Sequence, residues 1–143
     1  MSFPMALPPR IRLRPAQYLR ARTAALVAAR ASSSTAALER AVRRAHRGAR
    51  RPSTLAETDH AVAAVTTANI RLGGTTACLR RSVAALLYCL AARHTPVLVI
   101  GVRPGTASVH AWLEAEGQPA GEPTDPHLTY TPVVRYIWEH TSP

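Results

Sequence analysis

The run Gly73-Gly74-Thr75-Thr76-Ala77-Cys78-Leu79-Arg80-Arg81-Ser82-Val83-Ala84-Ala85-Leu86-Leu87-Tyr88-Cys89-Leu90 decides how the chain folds. Leu79, Val83, Leu86, Leu87 and Leu90 make one apolar stripe at helical spacing, so a helix is expected here. The two glycines end whatever precedes it, and Thr75 or Thr76 is in place to cap the new helix. Cys78 then falls in the first turn, where unpaired backbone N–H groups and the positive end of the helix dipole favour a thiolate. The same N–H groups can stabilise an oxyanion during attack on a carbonyl. The alternative reading is a small buried residue, which free cysteines commonly are. Cys89 is eleven residues further along the helix, roughly 16 Å away at 1.5 Å per residue. That is too far for a disulfide, so Cys89 reads as packing.

Downstream, Val97-Leu98-Val99-Ile100-Gly101-Val102 is short, β-branched and apolar on both faces, as a central strand is. Arg103-Pro104-Gly105-Thr106 turns the chain. Ser108 to Glu114 alternates, with Ser108, His110, Trp112 and Glu114 on one face and Val109, Ala111 and Leu113 on the other. Ala115-Glu116-Gly117 reads as a three-residue hairpin loop whose glycine takes the left-handed position. That register sets Glu114 against Gln118, Trp112 against Ala120 and His110 against Glu122, with opposed β-carbons about 5 Å apart. A carboxylate is therefore expected beside the His110 imidazole, although a surface cross-strand pair would look the same. Glu114, roughly 13 Å along the strand from His110, is a poor orienter, and Asp125 is the fallback if the loop is longer. Thiolate, imidazole and carboxylate together form a complete acyl-transfer set. No metal or other cofactor is expected: His46, His60, His94, His127 and His140 lack ligand-like spacing and each reads as a surface or cap residue.

Upstream, Met1–Pro15 interleaves prolines with Arg10, Arg12 and Arg14, which suits an extended arm or edge strand. Helices are expected over Ala16–Arg30, from about Ser34 to Arg47 with Ser32, Ser33 and Ser34 as caps, and from about Thr54 to Arg71. The formal charge of +10 lies wholly in this part: residues 1–71 hold thirteen arginines against Glu39, Glu57 and Asp59, whereas residues 72–143 hold five against five acids. Such a basic half raises the class of a non-catalytic module for nucleic acid or an anionic membrane. Only Phe3 and Tyr18 supply aromatic surface there, too little for stacking single strands, so no nucleic-acid partner is expected. Arginines interrupt every apolar run before it reaches the roughly 20 residues a membrane span needs. Two cysteines without metal spacing, and no signal-peptide pattern, point to a reducing, cytoplasmic setting.

Several motifs share one resemblance: Cys78-Leu79-Arg80-Arg81-Ser82, Val99-Ile100-Gly101-Val102-Arg103, His110-Ala111-Trp112-Leu113-Glu114, Gly121-Glu122-Pro123 and Tyr130-Thr131-Pro132. In this order they resemble the leader peptidases of lasso-peptide biosynthesis, transglutaminase-like cysteine proteases of the papain-type folds. The match covers most of residues 72–135, and Ala6-Leu7-Pro8 with Arg12-Leu13-Arg14-Pro15 is similar too. The resemblance implies cleavage of a ribosomally made precursor at the end of its leader, releasing a core that a separate ATP-dependent cyclase closes. Cys78 and His110 match the family's nucleophile and base, and Glu122 falls where many members carry aspartate. Some members carry their own leader-binding domain, for which 143 residues leave no room. The split type is therefore expected, with a separate recognition-element protein delivering the leader peptide, a preference for threonine just before the leader's end, and the lasso cyclase as a further candidate partner.

The expected architecture is α+β within one domain over 1–143: a basic helical part over 1–71, then a transglutaminase-like catalytic part over 72–143, with the Cys78 helix packed on a small antiparallel sheet. Amide transfer to an amine uses the same residues as hydrolysis and stays open beside it.

Overall fold

The computed structural model describes residues 9–74 and 76–139. Four helices precede or support the sheet: α1 (Pro15–Ala31), α2 (Thr35–Gly48), α3 (Leu55–Ala68) and α4 (Cys78–Leu90). The strands are β1 (Arg51–Pro52), β2 (His94–Thr95), β3 (Val97–Val102), β4 (Val109–Ala115), β5 (Gln118–Ala120) and β6 (Thr131–Tyr136). β3 to β6 form one antiparallel sheet in the order β5-β4-β3-β6, and β1 pairs with β2 in a short parallel ladder. This is the expected mixture of helices and antiparallel sheet. The arm expected over Met1–Pro15 lies outside the described residues up to Pro8. Beyond it, residues 9–14 run without regular structure: Ile11 donates its N–H to Thr67 Oγ1 at 3.2 Å, and Ile11 and Leu13 pack on the core.

Local chemistry fixes most helix ends. Ser34 accepts from the Ala37 N–H at 3.1 Å, and Thr54 and Glu57 form a reciprocal capping box at the start of α3. α3 stops at Ala68, earlier than expected, because Asn69 leaves helical geometry and its side chain accepts from Arg71 N–H to start a 3₁₀ turn, Ile70–Gly73. Among the described residues, no threonine caps α4. Its N-cap is Ala77, which has no side-chain acceptor, and Thr75 lies outside the described residues.

α4 is the centre of the molecule. Its single expected stripe proves too narrow, because Arg81 to Leu86, Tyr88 and Cys89 are all buried, with α1, α2 and α3 against it and the sheet beyond. A helix apolar on most sides has to be covered on most sides. The shared core joins alanines of α1, Val62 and Val65 of α3, Val83 and Leu86 of α4, and Leu98 and Leu113 of the sheet.

β4 is also buried on both faces, from His110 to Ala115. The hairpin that follows corrects the expected register. Glu116 and Gly117 both have positive φ, 53° and 73°, and form a two-residue turn that leaves Ala115 paired with Gln118. Leu113 therefore faces Ala120, and Glu114 faces Pro119. Ala115 is a strand residue, and the loop is one residue shorter than expected.

Candidate active site

Cys78 opens α4 and is half-buried. The first bond within the helix runs from the Arg81 N–H to the Ala77 carbonyl at 2.8 Å, so among the described residues the N–H groups of Cys78, Leu79 and Arg80 have no helical partner. Arg81 sits one turn further on and is only 4% exposed. Its Nη1 donates to the carbonyls of Leu72 at 3.0 Å and Gly74 at 3.4 Å, clamping the turn that leads into Cys78. Ser82 Oγ donates to the Ala111 carbonyl at 3.2 Å and ties α4 to β4.

Across that seam, β4 presents His110, which is buried. Its Nε2 lies 3.0 Å from Glu122 Oε2, which leaves Nδ1 as the ring nitrogen open to the Cys78 thiol, whose ionisation the imidazole favours. The expected pair thus forms, but not through ladder register. β5 ends at Ala120, and Gly121, at φ 67°, turns the chain so that Glu122 reaches the imidazole. The Gly121 N–H is held by Asp59 Oδ1 at 2.8 Å, and a Cβ at Gly121 would stand 2.6 Å from Val62 Cγ1. Only glycine fits there. Asp125, the fallback, caps a 3₁₀ turn through the His127 N–H at 2.9 Å.

The electrostatics follow from this packing. Burial opposes ionisation of Cys78, but the hydrogen bonds from His110 and the Ala111 backbone, with the charges of His110 and Arg81, outweigh it and pull the thiol below its ordinary value. Burial likewise opposes a charged His110, yet its hydrogen bonds to Cys78 and Glu122 and their charges raise it to about 9. Both shifts favour a thiolate beside an imidazolium over the neutral pair. Cys89 is the opposite case, since burial pushes its thiol up to about 12.

A polar network missed from sequence lies beside His110. Its ring forms a cluster with Trp112, centroids 5.8 Å apart, and Tyr130, 5.1 Å apart. Trp112 Nε1 donates to Glu114 Oε1 at 2.9 Å, and the buried Glu114 also binds His127 and Arg135. Strand alternation already placed His110, Trp112 and Glu114 on one face, but β6 and the loop that supply their partners follow no period. Arg81 also had a signal, a charge inside an apolar helix one turn from the cysteine. His94 corrects its reading as a surface or cap residue: it is buried, 2.6 Å from Ser53 Oγ and 3.1 Å from Glu57 Oε2.

A half-buried thiol at a helix N-terminus, facing a carboxylate-held histidine on an antiparallel sheet, suits acyl transfer through a thioester. A family model described as the transglutaminase-like superfamily matches residues 7–135. The chain belongs to the transglutaminase-like superfamily. The match spans both the arginine-rich helices and the sheet and is not confined to the part that holds Cys78, His110 and Glu122. Searches of curated proteins and of solved structures returned no match. Among the described residues, no helix is long and apolar enough to cross a membrane.

Proposed function

We propose that the protein is a cysteine peptidase that removes the leader from a ribosomally made lasso precursor, assisted by a separate leader-recognition protein. The observation that carries the reading is the Cys78–His110–Glu122 arrangement on a transglutaminase-like fold. The five sequence motifs that resemble lasso leader peptidases narrow the substrate class. A reducing, cytoplasmic setting goes with this reading, because a nucleophilic thiol must stay free.

In this mechanism the Cys78 thiolate attacks the carbonyl carbon of the residue that ends the leader. The N–H groups at the start of α4 stabilise the oxyanion. As the intermediate collapses, the C–N bond breaks and the His110 imidazolium gives its proton to the leaving amine of the core peptide. The leader is left as a thioester on Cys78. Neutral His110 then takes a proton from water, whose hydroxide attacks the thioester, and the thiolate leaves with the imidazolium restored. Glu122 accepts the Nε2–H throughout, fixing the ring's orientation and tautomer.

The test is mass spectrometry of a precursor from the same gene neighbourhood, incubated with the protein and its recognition partner. Wild type should cut once at the leader–core junction with gain of one water, whereas Cys78→Ala and His110→Ala should leave the precursor whole. Glu122→Ala is expected to slow the cut. A product carrying an amine in place of water would identify amide transfer instead. An intact precursor with folded wild type would remove the peptidase reading.

A further inference from the structure

Helix α1 is built inside out. Its alanines Ala21, Ala24, Ala25, Ala28 and Ala31 are buried, whereas Leu19, Leu26 and Val27 are 68%, 70% and 48% exposed. Small residues face inward because α1 lies close against α4, and the larger apolar side chains are left outside. A helix that turns its largest apolar groups to solvent marks an interaction surface. Leu19 and Val27, together with Leu87 and Leu90 of α4, line an open cavity of about 580 Å³.

The rim defines what fits. Among the described residues, no carboxylate lines the cavity, and the charged ones that do are Arg20 and Arg44. Arg20 is committed to the ring and carbonyl of Tyr88, while Arg44 stands exposed on α2. Leu87 and Leu90 come nine and twelve residues after Cys78, roughly 14 and 18 Å along the helix axis. The groove is therefore remote from the bond to be cut. A second copy is a poor occupant, since two faces with the same arginine rim repel one another on a chain of formal charge +10.

We propose that the α1–α4 groove docks an acidic amphipathic segment of a separate protein, apolar side chains in the groove and carboxylates against Arg44. Taking that protein to be the leader-recognition partner rests on the peptidase reading; the groove and its chemistry do not. Docking at the far end of α4 leaves the Cys78 end free for the leader–core junction.

The recognition protein encoded beside this chain is the probe, titrated against full-length wild type, Leu19→Ser/Val27→Ser and Arg44→Glu. Both apolar positions are exposed, so the fold should survive, and unchanged alkylation of Cys78 by iodoacetamide verifies it. The double variant is expected to bind at least tenfold more weakly. Raising salt should weaken wild type more than Arg44→Glu. Equal binding by wild type and the double variant overturns the proposal, as does failure of wild type to bind the probe. It is also overturned if the double variant loses only self-association in sedimentation, or only binding to phosphatidylglycerol-containing vesicles. Precursor cleavage keeps the two readings apart. A wild type that cuts while the double variant binds normally removes the groove alone, and one that binds through the groove without cutting removes the peptidase alone.

Discussion

Cys78 and Cys89 share one helix and have opposite chemistry, because one stands at the open N-terminus beside an imidazole and the other is sealed in the core. Iodoacetamide at pH 7 should therefore modify Cys78 alone, read by peptide mass mapping; labelling of Cys89 in folded protein would contradict the assignment. The sign of the pH dependence follows from the shifts. A lowered thiol pKa keeps Cys78 reactive below its ordinary titration range, and reactivity falls as pH drops through the depressed value. His110→Gln removes the largest favourable influence, so the alkylation midpoint should move up. Under the proposed mechanism, cleavage should also fall as pH rises through about 9, where His110 loses the proton that mechanism gives to the leaving amine. Glu122→Gln is expected to lower kcat/KM by about 10- to 100-fold. That is less than the ~10⁴-fold seen when a serine triad loses its carboxylate, because here the neighbouring groups already favour the ion pair before substrate arrives. The geometry of the candidate site was legible at this scale because a helix start and strand alternation both leave local signals in the sequence. The stacking partner Tyr130 was not, since nothing in its spacing ties it to His110.

The β4–β5 hairpin shows how a correct pair can come from an incorrect register. Reading Ala115 as loop moved every partner by one position, yet Glu122 still meets His110 because β5 stops at Ala120 and Gly121 bends the chain. The stop depends on α3, through Asp59 and Val62, a contact between elements that no local pattern encodes. Gly121→Ala should therefore cost about 1–3 kcal/mol from its positive φ, with the Val62 clash added. Thermal melting checks this, and cleavage should suffer more than alkylation because Glu122 is displaced while Cys78 is not. At the other end of the site, Arg81→Met would leave the buried Leu72 carbonyl without its donor, at about 1–3 kcal/mol, while the exposed Gly74 carbonyl can turn to water. It should also shift the Cys78 alkylation profile to higher pH, because a nearby positive charge is gone. An alkylation profile identical to wild type would reduce Arg81 to a structural clamp.

Over the whole molecule, charge and packing divide the chain differently. The arginines gather before residue 72, and this asymmetry made the first half look like a separate basic unit in the sequence. Charge reports mainly the surface, and the core ignores that line. Thirteen of the 22 residues in the main buried cluster come from α1, α2 and α3, and they cover α4. The helices themselves were legible from alanine and leucine periodicity, but not which face each buries, since α1 hides alanines and shows leucines. A fragment of residues 72–143 would expose α4 on the sides those helices cover, and its remaining apolar contacts would not offset the chain entropy of ordering it. Expressed alone, it should show no cooperative thermal transition by circular dichroism. Its Cys78 should titrate as an ordinary thiol, because the α3 contact that holds Gly121, and through it Glu122 and His110, would be missing. A cooperative melt together with a depressed thiol midpoint in the fragment would show that the sheet and α4 build the site alone. The arginine-rich helices would then serve docking and not folding.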